Sequence, residues 1–409
     1  MQTNLAASVK NTPQGRDADA ILRKCVHCGF CLATCPTYQL LGDELDGPRG
    51  RIYLIKQMLE GETPTAKTQL HLDRCLTCRA CETTCPSGVQ YGRLLDIGRH
   101  IVATQTQRDP FDRLRRGLLR IATANRTLFA WLLQCARWLR PLLPRALKRK
   151  VPAAARATAW PGNLHARRML VLEGCVQPSL SPNTNAAAAR VLDRLGITLL
   201  RAPQAGCCGA IPHHLDAQHE GLEYMRRNID AWWPYIEQGV EAIVITASGC
   251  GVMVADYGHL FADDPIYAEK AQRVSELAKD VSEIIAAEKD RLKSLCSSPI
   301  APRPKVAFHP PCTLQHGLKL GSRTEALLTE LGFELTPVPD AHLCCGSAGT
   351  YSLLQSNLAQ QLLKNKVAAL EAARPSAIVT ANIGCQSHLQ TATDLPVSHW
   401  IEALDARLG

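Results

Sequence analysis

The chain has 409 residues, is 46% hydrophobic and 5% aromatic, and carries 18 cysteines with a formal net charge of +9; that length allows about two to four domains with cores of their own. No run approaches the ~20 apolar residues that span a bilayer. The polar lead-in Met1–Lys24 lacks a secretory core segment, so the thiols point to a reducing cytoplasm, and so few aromatic stacking platforms argue against nucleic acid as the reason for the basic balance.

A short helix, Asp17–Lys24, is expected to feed the run C-V-H-C-G-F-C-L-A-T-C-P, with Cys25, Cys28, Cys31, Cys35 and Pro36. Gly47, Pro48 and Gly50 then suggest a turn, Arg51–Glu60 a helix ended by Gly61, and Thr65–Asp73 another. The second run, C-L-T-C-R-A-C-E-T-T-C-P, places Cys75, Cys78, Cys81, Cys85 and Pro86. Both have the C-x2-C-x2-C-x3-C-P spacing of bacterial ferredoxin motifs, where three cysteines hold one [4Fe-4S] cluster and the fourth serves the other. This assigns Cys25, Cys28, Cys31 and Cys85 to one cluster and Cys75, Cys78, Cys81 and Cys35 to the second. Each proline drives the preceding cysteine out of helical backbone, turning the fourth sulfur away from its own loop. Zinc knuckles are the rival reading, but zinc takes four ligands in two separated pairs, and two complete copies favour iron-sulfur.

Each oxidised cluster with its thiolates adds about −2, which lowers the net charge to about +5. Lys24, Arg74 and Arg79, beside or within the motifs, are candidate compensating cations. The block 111–150 holds eleven Lys or Arg against one Asp, with Leu114, Leu118, Ile121, Leu128, Leu132 and Leu139 near helical spacing and Trp131 and Trp138 as amphipathic anchors. Such helices suit an anionic membrane surface or a connector packed on protein.

After a loop-like linker at 151–165, strands alternate with helices. A strand leads to Cys175, a helix covers Asn185–Leu195, a strand covers Ile197–Ala202, and another strand runs into Cys250. This pattern repeats: K-V-A-F-H-P-P-C matches the strand leading to Cys175, and A-H-L-C-C-G matches Q-A-G-C-C-G. Cys175 to Cys207 and Cys312 to Cys344 both span 32 positions, while Cys208 to Cys250 spans 42 and Cys345 to Cys385 spans 40. Cysteines that follow the strands of a parallel sheet gather at its carboxyl edge. Two candidate metal sets result: Cys175, Cys207, Cys208 and Cys250, and Cys312, Cys344, Cys345 and Cys385. An additional Fe-S cluster, zinc, or one centre shared between the copies would suit these donors. Gly209 and Gly346 would leave room for a bulky ligand. His213, His214, His309, His316 and His342 lie close enough in sequence to protonate a quinone or ligate metal. Cys135 and Cys296 remain as ordinary thiols.

The repeated half resembles the cysteine-rich CCG-domain family, which includes the catalytic subunit of heterodisulfide reductase. That family's full motif ends in CxxC and holds a non-cubane cluster through five cysteines. Here Ala247 and Asn382 occupy the first position of that pair, which turns the expectation from disulfide reduction towards electron relay. Across the whole chain, C-V-H-C-G-F-C, T-Y-Q-L-L-G-D-E-L-D-G-P-R-G-R-I-Y-L-I-K, L-E-G-C-V-Q-P-S-L-S-P-N-T-N, T-A-S-G-C-G and L-C-C-G-S-A-G-T-Y resemble the family of glycolate oxidase iron-sulfur subunits. The resemblance implies an electron-transfer subunit without a catalytic residue of its own, working with FAD-binding glycolate dehydrogenase subunits that oxidise glycolate to glyoxylate. It would pass electrons towards a quinone at the cytoplasmic side of the inner membrane. The absence of a G-x-G-x-x-G turn agrees with a flavin held elsewhere. Iron-sulfur subunits of anaerobic glycerol-3-phosphate dehydrogenase or heterodisulfide-reductase-like enzymes, or a metal-binding sensor or scaffold, are the alternatives. The expected architecture is α+β and multi-domain: an α-helical two-cluster ferredoxin domain (1–105), a basic helical connector (106–165), and a duplicated α/β CCG domain (166–300 and 301–409).

Overall fold

The computed structural model describes residues 1–295 and 305–409; Cys296 and the expected 300/301 boundary lie outside the described residues. Two compact units emerge. One comprises Met1–Leu118 with His342–Leu362, the other Leu119–Ala341 with Leu363–Gly409.

The first unit is helical. Its helix Pro13–Lys24 begins ahead of the expected Asp17, because Thr12 accepts from the Gly15 amide and Pro13 sits at the first helical position, where a missing N–H costs nothing. The expected turn at Gly47, Pro48 and Gly50 is instead the start of the helix Pro48–Leu59. Gly50 is needed there for packing, since a Cβ would fall 2.2 Å from the Glu44 carbonyl oxygen. Helix Ala66–Asp73 starts from a capping box between Thr65 and Thr68, and Tyr91–Gln105 follows the second cysteine run. Ile21, Leu22, Ile55, Leu59, Leu72, Leu94 and Leu95 form a core that includes Cys25, Cys75 and Cys81. Each such aliphatic burial contributes roughly 1.5–3 kcal/mol.

The second unit holds two parallel sheets. Strands β1 (Arg167–Val171), β2 (Ile197–Arg201), β3 (Ile243–Ile245) and β4 (Ala278–Asp280) lie in the order β2-β1-β3-β4. Strands β5 (Lys305–His309), β6 (Glu334–Leu335), β7 (Ala377–Thr380) and β8 (Val397–His399) lie in the order β6-β5-β7-β8. The same topology twice confirms the duplication. Side chains alternate across the first sheet: Met169, Val171 and Val244 enter one apolar cluster, whereas Leu170, Leu172 and Ile245 enter another. The first cluster also contains Val306, Phe308, Val379 and Trp400, so the two copies share one core. The strands are shorter than expected; β3 stops at Ile245 and Cys250 sits in the helix Ser248–Ala255.

The basic block forms helices Pro110–Ala124 and Arg126–Leu139. Their apolar stripe faces outward: Leu118 is 59% and Trp138 80% exposed. Many of their arginines are held by protein groups. Arg116 pairs with Asp73 and Asp112, Arg120 with Glu220 and Arg126 with Glu173, while Arg137 donates to the carbonyls of Pro152, Ala153 and Ser179.

Candidate metal centres

The two ferredoxin-type runs share one backbone design. His27 and Gly29 in the first, and Thr77 and Arg79 in the second, have positive φ, which winds each loop around a common point at the cost of left-handed strain in three non-glycine residues. Cys31 and Cys81 then lie in short helices, Phe30–Ala33 and Ala80–Thr84. Cys35 and Cys85 are extended, with φ/ψ of −86°/113° and −76°/115°, as their following prolines require.

Cys25, Cys28, Cys31 and Cys85 line one recess, with Val26, Phe30 and Cys81 also at its walls. Burial raises the Cys25 thiol, and Cys85 adds to the effect. Burial with Cys25 and Cys28 nearby pushes Cys31 up to about 11. Burial lifts Cys81 well above the ordinary thiol value, with Cys78, Cys75 and Cys35 adding to it. Each fourth cysteine is therefore felt by the opposite triad. Thiols crowded and buried in this way become thiolates when a cation joins them, so the donor sets suit iron-sulfur clusters.

The surroundings of the two sets differ. Cys28 is exposed, and its neighbours Val26 and Phe30 are 67% and 60% exposed. Cys75 lies deeper, and the Tyr91 hydroxyl donates to its sulfur at 3.6 Å. Cys35 Sγ is 3.3 Å from the Thr37 hydroxyl, which accepts from both terminal nitrogens of Arg51 at 3.2 Å. Arg51 also donates to the His71 carbonyl at 2.7 Å. Arg99 donates to the Leu72 and Cys75 carbonyls at 3.0 and 2.8 Å. Sequence reasoning missed Arg51, Arg99, Thr37 and Tyr91. Of the expected compensating cations, Arg74 reaches the buried Asp46 carboxylate at 2.8 Å, whereas Lys24 points to solvent.

In the first cysteine-rich copy the four expected residues come together. Their thiols lie close enough to act on one another in succession, Cys175 with Cys207, Cys207 with Cys208 and Cys208 with Cys250. The Cys-Cys pair is fixed from behind: Asn228 donates to the Cys207 carbonyl and Tyr257 to the Cys208 carbonyl, both at 2.8 Å. Gly209 (φ +84°) is required by the packing of helix Gln218–Glu237 against it, because a Cβ would lie 2.6 Å from the Gly221 oxygen. Gly346 stands likewise against Ala359. The tight approach thus comes from the protein backbone, a correction to the expectation of ligand clearance.

The second copy is arranged differently. Cys344 and Cys345 are buried in the segment belonging to the first unit, whereas Cys312 and Cys385 belong to the second. Within the first unit the Tyr351 hydroxyl donates to the Arg74 carbonyl at 3.1 Å; burial raises this phenol, and Cys75 and Cys344 add to the effect. Within the second, Asn382 donates to Cys385 Sγ at 3.6 Å and accepts from the Gly249 amide at 3.3 Å. A ring nitrogen of His309 lies within 4.8 Å of Cys385 Sγ. Burial and the Lys366 ammonium drive its pKa well below the ordinary value, leaving the ring neutral. Elsewhere, the His213 and His214 rings meet edge to face at 5.5 Å, His316 is buried and His342 half-buried.

Known proteins agree with this layout. The 4Fe-4S dicluster domain family matches residues 21–89, and the Cysteine-rich domain family matches 169–255 and 306–390. The chain is 57% identical to the glycolate oxidase iron-sulfur subunit of Escherichia coli (strain K12), over 100% of this chain and 99% of that one. It is 30% identical to a probable glycolate oxidase iron-sulfur subunit of Bacillus subtilis (strain 168), covering 92% and 90%. Lactate utilization protein A of Bacillus licheniformis is 26% identical, over 57% of this chain and 97% of that protein. The cysteine geometry and these full-length likenesses together show that the chain belongs to the family of glycolate oxidase iron-sulfur subunits.

Proposed function

We propose that this chain is the electron-transfer subunit of a flavin-dependent glycolate, or 2-hydroxy-acid, dehydrogenase complex. It would take electrons from FAD on partner subunits and deliver them towards a quinone. Two [4Fe-4S] clusters would be held by Cys25, Cys28, Cys31 and Cys85, and by Cys75, Cys78, Cys81 and Cys35. The cysteine sets of the two CCG copies would bind further iron-sulfur or zinc centres. When bound, the clusters accept one electron at a time, which divides the pair released by a flavin.

The observation that carries this reading is the paired loop geometry, with each fourth cysteine felt by the opposite triad. The chain's own cysteines would hold the clusters, with the Tyr91 hydroxyl donating to Cys75 Sγ and the buried Arg51 and Arg99 beside the second set. EPR of the anaerobically purified, dithionite-reduced chain tests it. Interacting [4Fe-4S] signals are expected, and their absence would sink the electron-transfer reading.

A cytoplasmic chain resting peripherally on the inner membrane is part of the proposal. No described helix is long and apolar enough to cross a membrane. The support is the outward stripe of Phe111, Leu114, Leu118, Ile121, Trp131 and Trp138, which an interfacial helix would bury among acyl chains.

A further inference from the structure

The two cysteine-rich copies are built to one plan, and comparing equivalent positions isolates one residue. Three positions before the first cysteine of each copy stand Leu172, ahead of Cys175, and His309, ahead of Cys312. Leu172 is 3% exposed and packs in an apolar cluster with Leu170 and Ile245. His309 ends β5, is 1% exposed, and has no hydrogen-bond partner on either ring nitrogen among the described residues. A buried imidazole ordinarily satisfies at least one nitrogen, and an exception calls for an ion or another ligand.

A donor is close by. One His309 ring nitrogen and Cys385 Sγ lie within 4.8 Å, a limit that admits the roughly 3.6 Å separating sulfur and nitrogen across a tetrahedral metal. The position where the CCG family places its additional cysteine holds Asn382, whose side chain is engaged with Cys385 Sγ and the Gly249 amide. The first copy has Ala247 there and no histidine at 172.

We propose that His309 is a metal ligand of the second cysteine-rich copy, binding the same centre as Cys385 through a ring nitrogen. The copies then differ in chemistry: the first offers sulfur alone, the second mixed thiolate and imidazole. Such a set takes zinc or an iron-sulfur centre, and on iron the exchange of cysteine for histidine raises the reduction potential. The inference rests on the reading above that the CCG copies bind metal.

The test uses the full chain, purified anaerobically, with iron, zinc and sulfide counted per chain. Wild type is compared with His309→Leu, which copies the first repeat, with His309→Cys and with Cys385→Ser. X-ray absorption at the metal edge and 15N-histidine hyperfine spectroscopy report nitrogen ligation and distinguish zinc from iron. His309→Leu should lose the same metal complement as Cys385→Ser while both ferredoxin signals persist. His309→Cys should keep metal and lose the nitrogen signature, which covers the case in which His309→Leu fails to fold. Full metal content with an unchanged nitrogen signature in either His309 variant would overturn the proposal. Wild-type metal content in Cys385→Ser would instead overturn the reading that this copy binds metal, and the proposal with it.

Discussion

Arg51 and Asp46 lie 3.5 Å apart with both side chains only 1% exposed, and the guanidinium is linked through the Thr37 hydroxyl to Cys35 Sγ. Desolvating such a pair is costly, and removing one partner strands the other. Arg51→Gln should therefore cost about 3–5 kcal/mol, moderated where Arg74 and His71 still reach Asp46. Denaturant unfolding of the cluster-loaded chain measures it. In an EPR-monitored redox titration the same change should lower the potential of the second cluster, and Asp46→Asn should raise it. A purely structural role would move both in one direction.

Tyr91→Phe removes the hydroxyl that donates to Cys75 Sγ. Hydrogen bonds to cluster sulfur raise the potential, so the second signal should shift downward. The first should stay in place.

Cys28→Ala removes the exposed cysteine of the first recess, one of the proposed cluster ligands. Under the proposed function, glycolate-dependent dye reduction through this subunit should be abolished, while the proposed flavin-bearing partners still bind glycolate. Full quinone reduction by the variant complex would refute the assigned route.

His399 supplies a pH signature. Burial lowers its pKa to about 4; one ring nitrogen contacts the Thr246 carbonyl at 2.8 Å and the other accepts from the Ile401 amide at 3.1 Å. The unfolded state binds the proton first, so this contribution is complete above about pH 6.5 and declines as pH falls towards 4. Across that window it amounts to about 3 kcal/mol. Asp280, raised by burial to about 6, opposes it, since its protonation relieves a buried charge. The difference between wild type and His399→Asn, followed by urea unfolding from pH 7.5 to 5.5, isolates the histidine. The stability gap in favour of wild type should narrow as pH falls.

Trp131→Ser with Trp138→Ser, at sites 63% and 80% exposed, should weaken flotation with anionic liposomes several-fold while unfolding midpoints stay nearly unchanged. Equal flotation would remove the stripe from the membrane proposal. Because many of the arginines are already paired within the protein, added salt should matter less than loss of the indoles.

The sequence made legible what depends on neighbours along the chain. The turns of both C-x2-C-x2-C-x3-C-P runs, the duplicated strand–helix pattern and the helical first unit follow from local spacing. Pro13 and Pro48 were available as helix starts, but Gly50 suggested a turn because its contact with Glu44 comes from folding. β4 and β8 are three residues each, too short for an alternating pattern to register. Arg51 looked like any arginine at the start of a helix; its burial is decided by His71, Thr37 and Asp46, from separate segments. The same holds for His309, which stood among five equivalent histidines until both its nitrogens proved to lack a hydrogen-bond partner among the described residues.

The first unit takes in His342–Leu362 as well as Met1–Leu118, with Tyr351 bound to the Arg74 carbonyl. A polypeptide emerging from the ribosome therefore cannot complete this unit until residue 362 of 409 has been made. Truncation after the second cysteine run would leave out His342–Leu362, so the finished unit exists only once most of the chain has been synthesised.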